Sequence, residues 1–309
     1  LQVCGDCTSS LRSRDRSGSM SIGRTTTPFP YMEAPIGVFD SGYGGLTILR
    51  YLRKLLPEYD FLYLGDNARA PYGKHSLPTI YEYAREAVSH LFACGCPMVI
   101  IACNTVSAHA LRLLQQVDLP TSSDPSRRIL GVIRPTVERL GELTRNGHVG
   151  ILATPATVKS NTYLLEVNRL HPEIQLTQQA PKMWVSLIEG GEYQANEGVN
   201  YFVRRNIEEL LRKDPRIDTI QLACTHYPVL LPRIREFVRD DIVIAEQGMI
   251  VAESTQKYLQ RHPEMERRLS KNGISHFLTT EEDGEFAEMA GLFLHARLAE
   301  DMVDQVQLR

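Results

Sequence analysis

PMVIIACNTVSAHALRLLQQV, residues 97–117, decides the fold. An unbroken apolar run from Met98 ends at Cys103, and Asn104 and Thr105 make a short polar step. Apolar residues then return at helical spacing from Val106 to Val117. A strand that is apolar on both faces and leads straight into an amphipathic helix belongs in a parallel sheet covered on both sides. Residues 217–238, IDTIQLACTHYPVLLPRIREFV, repeat the arrangement, with Cys224 closing the apolar run and Thr225-His226 as the polar step. One chain thus ends two buried strands with a cysteine each.

The alternation extends in both directions. PIGVFD (35–40), DFLYLGD (60–66), ILGVI (129–133), HVGILAT (148–154) and DIVIAE (241–246) read as further strands. GGLTILRYLRKLL (44–56), LPTIYEYAREAVSHLFACG (77–95), ATVKSNTYLLEVNRL (156–170), MWVSLIEGG (183–191), NYFVRRNIEELLRK (200–213) and segments near 250–261 and 283–298 read as helices. Such alternation specifies an α/β fold with mainly parallel sheets. TSSDPSRR (121–128) is a polar break after which the pattern restarts. IGVFDSGYG near 36–44 echoes VGILATPAT near 149–157, and VIIACNT echoes IQLACTH. Two related α/β units explain the echo better than a strict repeat.

At 309 residues, the chain can fill one large domain or two modest ones. A net charge of −3 points to neither nucleic acid nor an anionic membrane surface as partner. No apolar run approaches the roughly 20 residues that a spanning helix needs, and no secretory h-region is visible. The expected compartment is the cytoplasm, and the six cysteines then read as free thiols rather than a disulfide framework. Cys4 and Cys7 form a CxxC without a second pair, so no metal site is expected there. Cys94 and Cys96 close a helix and read as packing. Residues 1–33, rich in Ser, Arg, Thr and Pro without periodicity, read as a disordered extension.

Ligands of open α/β sheets bind beyond the carboxyl ends of the strands. Four polar motifs fall at such ends: Asp40-Ser41-Gly42, Asp66 with Pro71-Tyr72-Gly73 after it, Cys103-Asn104-Thr105 and Cys224-Thr225-His226. DSGYGG is a tight strand-to-helix turn, but it lacks the spacing of a dinucleotide fingerprint and its ribose-binding acid. Free backbone N–H groups at such a turn suit a small carboxylate. Asp40 ends a buried strand, where an acid needs a partner or a task. A lone buried cysteine is commonly a small hydrophobe. Two at matching strand ends, each followed by hydrogen-bonding residues, suit proton transfer, with His226 as a proton partner. Spacing alone leaves Glu189 a solvated helix-end acid.

GVFDSGYGGLTIL, GDNARAPYG, ACNTVSA and ACTHYP, in that order, resemble the motifs of glutamate racemases, within the cofactor-independent two-cysteine aspartate/glutamate racemase family. The match runs from about Ile36 to the C-terminus. The resemblance implies two pseudo-symmetric α/β domains with the active site in the cleft between them: 34–130 plus 241–309 as the first and 131–240 as the second. It implies Cys103 and Cys224 as paired acid and base, facing the D- and L-enantiomers respectively, assisted by Asp40, Glu189 and His226. It further implies that Asp40, Ser41, Tyr72, Gly73, Asn104, Thr105, Thr225 and His226 bind an amino-acid substrate, that no cofactor or metal takes part, and that D-glutamate feeds peptidoglycan. The sequence departs from the family pattern in QAPKMWVSLIEGG, in AEQG (245–248), where many members carry Asp-Ser, and in GVIRPTVE.

Racemisation removes an α-proton and returns one to the opposite face, so two groups on opposite faces that exchange roles do what one base cannot. The alternatives are a racemase for aspartate or a hydantoin, a small-ligand binding protein that kept the cleft, and a thiol hydrolase. A hydrolase needs only one nucleophile, whereas the two cysteines here have equivalent contexts. The oligomeric state is left open, a homodimer being one arrangement.

Overall fold

The computed structural model describes residues 32–194 and 197–308. Its strands form two sheets, and every strand pair is parallel. The larger sheet has the order β10-β9-β2-β1-β3-β4, built from β1 (Ile36–Asp40), β2 (Phe61–Gly65), β3 (Met98–Ile101), β4 (Arg128–Gly131), β9 (Ser275–Thr279) and β10 (Val303–Gln305). The smaller has the order β6-β5-β7-β8, from β5 (His148–Ala153), β6 (Gln175–Gln179), β7 (Thr219–Ala223) and β8 (Val243–Ala245).

The order β2-β1-β3-β4 in one sheet matches β6-β5-β7-β8 in the other. β5 is therefore the counterpart of β1 and β7 of β3, the same pairing that the sequence echo suggested. In each sheet the chain steps to one side of the first strand and then returns to its other side. That topological switch opens a crevice at the carboxyl edge. In the first sheet it lies between Asp40-Ser41 and Cys103; in the second, between Thr154 and Cys224.

The crossovers follow from local chemistry. α1 (Leu46–Leu55) buries Leu46, Ile48, Leu49 and Leu52 along one stripe. α2 (Leu77–Ala93) starts on Ser76, whose hydroxyl accepts the Thr79 N–H, with Pro78 in its first turn. α3 (Asn104–His109) begins directly after Cys103. α4 (Ile133–Leu143) starts where ILGVI was expected to remain extended, so β4 stops at Gly131. The helix expected over 156–170 is two, α5 (Pro155–Ser160) and α6 (Thr162–Leu170), separated by Asn161 at φ 56°. Asparagine tolerates that left-handed conformation better than most residues. α7 (Trp184–Glu189) and α8 (Glu197–Lys213) precede β7. α9 (Leu231–Glu236) leads to β8, and α10 (Gln247–Arg261) packs back onto α1. α11 (Asp283–Leu294) carries Phe286 and Phe293 into the core.

Two boundaries differ from expectation. β8 pairs with β7, so residues 243–245 lie on the smaller sheet rather than with the first unit; the chain returns only with α10. Of the expected 1–33 extension, residues 1–31, with Cys4 and Cys7, lie outside the described residues. Met32 is 2% exposed and packs in a cluster with Phe39 and Leu62, so it belongs to the core. Cys94 and Cys96 are buried in the same cluster, as their packing role requires. No described helix is long and apolar enough to cross a membrane.

Candidate active site

Parallel strands present their carboxyl ends on one edge, and the polar motifs gather there. One cleft is lined by Ser41, Tyr72, Gly73, Cys103, Asn104 and Thr105 from the first sheet's side. Glu189, Cys224, Thr225 and His226 line it from the second. Both cysteines are free, each 6% exposed. They occupy equivalent positions, one after β3 and one after β7.

The closeness of the two halves depends on a residue without a side chain. A Cβ on Gly44 would lie 2.2 Å from Thr225 Oγ1 and 2.5 Å from His226 Nδ1. Only glycine lets the turn after β1 rest against the Cys224 segment. The turn is tied across the gap by Thr47, whose hydroxyl donates to the Gly44 and Thr225 carbonyls at 2.8 and 3.0 Å.

The two thiols have different surroundings. Ser41 Oγ is 3.3 Å from Cys103 Sγ. Burial pushes the Cys103 thiol up, to about 12, and the neighbouring Asp40 charge adds to the rise; hydrogen bonds from Ser41 and the Val106 N–H work against it. Cys103 is thus a thiol at neutral pH. Cys224 neighbours His226, whose Nε2 is 2.9 Å from Glu189 Oε1. Burial disfavours the imidazolium, yet hydrogen bonds with Cys224 and Glu189 and their negative charge outweigh it and raise His226 to about 10. His226 is therefore an imidazolium at neutral pH, held between a carboxylate and a sulfur.

Asp40 was expected to touch substrate, and here the geometry differs. It is fully buried and does not line the cleft. Its Oδ2 accepts the Gly42 N–H at 3.1 Å and its Oδ1 the Thr225 hydroxyl at 3.5 Å. Burial raises its pKa, His226 and backbone N–H groups oppose that, and Glu189 reinforces it. It reaches the cleft through its charge on Cys103. Tyr72 lines the wall, but its hydroxyl donates to Asp66, which also accepts from Arg69 and Thr280. Burial and Asp66 drive the Tyr72 pKa up, so the phenol stays protonated. The Thr105 hydroxyl sits 3.1 Å from that of Thr154 and 3.5 Å from that of Thr157.

Sequence reasoning missed Lys74, Thr154, Pro155, Pro181, Lys182, Val185 and Ser186, all of which line the cleft. Thr154 had a signal: the echo sets it opposite Ser41. Val185, Ser186 and Glu189 share one face of α7, a spacing that becomes readable only once Glu189 is known to face the cleft. No described group of three His, Cys, Asp or Glu side chains could hold a metal ion.

The asymmetry gives an expected result. In the Cys224→Ser protein, alkylation of Cys103 by iodoacetamide, followed by peptide mass spectrometry, should climb about tenfold per pH unit from about pH 7 to 10 without a plateau. A plateau near pH 8.5, the ordinary thiol value, would contradict the buried, Asp40-facing environment.

The family model described as Asp/Glu/Hydantoin racemase matches residues 47–253. A glutamate racemase from Ruegeria pomeroyi is 37% identical over 273 residues, covering 85% of this chain and 97% of its own. Another from a Ruegeria species is 39% identical over 240 residues, 74% of this chain and 87% of its own. Among solved structures, glutamate racemase from Francisella tularensis in complex with D-glutamate superposes with a TM-score of 0.77 at 30% identity, covering 89% of this chain and 98% of that one.

Proposed function

The chain belongs to the Asp/Glu/hydantoin racemase family, and on that premise we propose that it interconverts L- and D-glutamate by passing the α-proton between two opposed cysteines. The observation that carries the reading is the pair of free thiols at equivalent strand ends, lining one cleft with different proton partners.

In one direction the Cys224 thiolate, paired with the His226 imidazolium, takes the α-proton of the L-enantiomer. The C–H electron pair moves onto Cα and into the carboxylate. The Cys103 thiol then delivers its proton to the opposite face. The product is D-glutamate, and the thiolate now sits on Cys103. The reverse reaction runs the same path with the roles exchanged. Asp40 is the acid beside Cys103 as His226 is beside Cys224. A carbanion so high in energy is reached only where donors already face the carboxylate and water is excluded. Ser41, the Tyr72-Gly73 backbone, Asn104, Thr105 and Thr225 are the donors assigned to the substrate's carboxylates. The two units close over it. D-glutamate made in the cytoplasm then supplies peptidoglycan synthesis.

Purified protein incubated with L-glutamate and no added cofactor should lose the circular dichroism of the amino acid until it reaches zero. Loss of the signal from L-aspartate or a chiral hydantoin but not from L-glutamate would assign the other substrate of the family. No loss with any of them would leave a binding protein.

A further inference from the structure

Asn104 does not stand alone in the cleft wall. Behind it lies Gln247, 3% exposed, the first residue of α10 where the chain crosses from the smaller sheet back to α1. The two amides face each other: Asn104 Nδ2 donates to Gln247 Oε1 at 2.6 Å, and Gln247 Nε2 lies 3.2 Å from Asn104 Oδ1. Gln247 Nε2 also reaches Thr136 Oγ1 at 2.8 Å and the Tyr163 hydroxyl at 3.0 Å.

The donors in this cluster have fixed directions. The Thr136 hydroxyl donates to the Val132 carbonyl at 2.6 Å, so it accepts from Gln247. The Tyr163 hydroxyl donates to Asn104 Oδ1 at 2.7 Å, so it too accepts from Gln247. Gln247 Nε2 has two hydrogens for three acceptors: the shorter contacts, to Thr136 and Tyr163, take them, and the 3.2 Å approach to Asn104 Oδ1 is at most shared, so Oδ1 is held by the Tyr163 hydroxyl. Asn104 Nδ2 gives one of its two hydrogens to Gln247. With Oδ1 turned to Tyr163 and Gln247, the second N–H is the group of the side chain left for the cleft.

We infer that Gln247 is a positioning residue that locks the Asn104 amide with its N–H toward the cleft, making that wall a donor-only surface selective for a carboxylate. This rests on the reading that Asn104 touches the substrate. Without the lock, an asparagine can turn its carbonyl outward, and a carbonyl facing a carboxylate repels it. Because Thr136 is on α4 and Tyr163 on α6, the same lock ties both to the helix that carries Asn104.

The test is a double-mutant cycle. Q247L should raise KM for glutamate about tenfold, the worth of a hydrogen bond to a charged group, with kcat changed less than about twofold. N104A should do likewise. The double variant should be no worse than N104A, because Gln247 acts through Asn104. Additive effects in the double variant, or a loss confined to kcat in Q247L, would overturn the inference. If Q247L fails to fold, Q247M serves instead: it keeps the length of the side chain but supplies neither the acceptor nor the donors, and the same outcomes apply. A binding measurement separates this inference from the racemase reading. In an inert C103S/C224S background, calorimetry should show glutamate binding weakened about tenfold by Q247L. A weakened affinity with no racemisation by the unmodified protein would sink the reaction and keep the lock. Racemisation with an unmoved affinity would sink the lock alone.

Discussion

Serine at Cys103 or at Cys224 should abolish glutamate racemisation, by about 10³-fold or more, while each variant keeps one half of the chemistry. A serine hydroxyl is nearly isosteric with the thiol but far less acidic, so it supplies no thiolate at neutral pH. Full racemisation needs a group on both faces. Elimination from a glutamate carrying a leaving group on Cβ needs only one: a thiolate takes the α-proton, the electron pair forms the Cα–Cβ double bond, and the leaving group departs with its electrons. Cys103→Ser should retain elimination on the L-configured substrate, whose proton faces Cys224. Cys224→Ser should retain it on the D-configured one. Loss of elimination in all four combinations, in proteins shown to be folded, would mean that the thiols act as a single unit.

His226→Asn should separate the faces in the same assay. The imidazolium lies between Glu189 and Cys224 and persists up to about pH 10, since those partners outweigh the penalty of burial. A neutral amide of similar size cannot carry that charge. Elimination from the L-configured substrate should fall about 10²-fold or more, and that from the D-configured substrate by less than about tenfold. The sign of the pH effect follows from the raised pKa. The charged form is present below about 10, so the unmodified protein should lose L-side elimination only as pH rises through that value, and His226→Asn should lack that alkaline limb. Equal losses on both faces would show that His226 holds the cleft together rather than serving one thiol.

Elimination is the informative assay for a thermodynamic reason. For racemisation the equilibrium constant is unity, so kcat/KM must be the same in both directions at every pH, whatever the asymmetry of the bases. An irreversible partial reaction escapes that constraint and exposes the difference between Cys103 with Asp40 and Cys224 with His226.

How far the sequence could be read depended on where the apolar signal lay. β1, β2, β3 and β5 are apolar on both faces and were legible as buried strands, and β7 was legible from Ile220 and Leu222 although Thr219 and Gln221 lie on its other face. β6 was not: QLTQQ holds one apolar residue, Leu176, and its ladder with β5 is specified by tertiary context. β9 and β10 lie in the C-terminal segment and extend the sheet beyond β2, a placement no local pattern encodes. The cysteines were legible because each interrupts an apolar run at a point where a strand must end. Asp40 was legible as an acid in need of partners. Its place behind the cleft wall was not, because which side of the strand end faces the crevice depends on the packing of α1. The amide network of Gln247 could not be read at all, since its members come from four helices far apart in the chain.

In the proposed reaction the proton leaves to one cysteine and returns from the other. The direct measurement is racemisation of unlabelled L-glutamate in D2O, stopped early, with the α-position of each enantiomer analysed by mass spectrometry after chiral separation. Opposed thiols predict that the newly formed D-glutamate carries solvent deuterium, while the remaining L-glutamate keeps its original proton. Deuterium accumulating in the L-glutamate pool before D-glutamate forms, or D-glutamate that retains the substrate's proton, would mean that one group serves both faces, contradicting two opposed thiols.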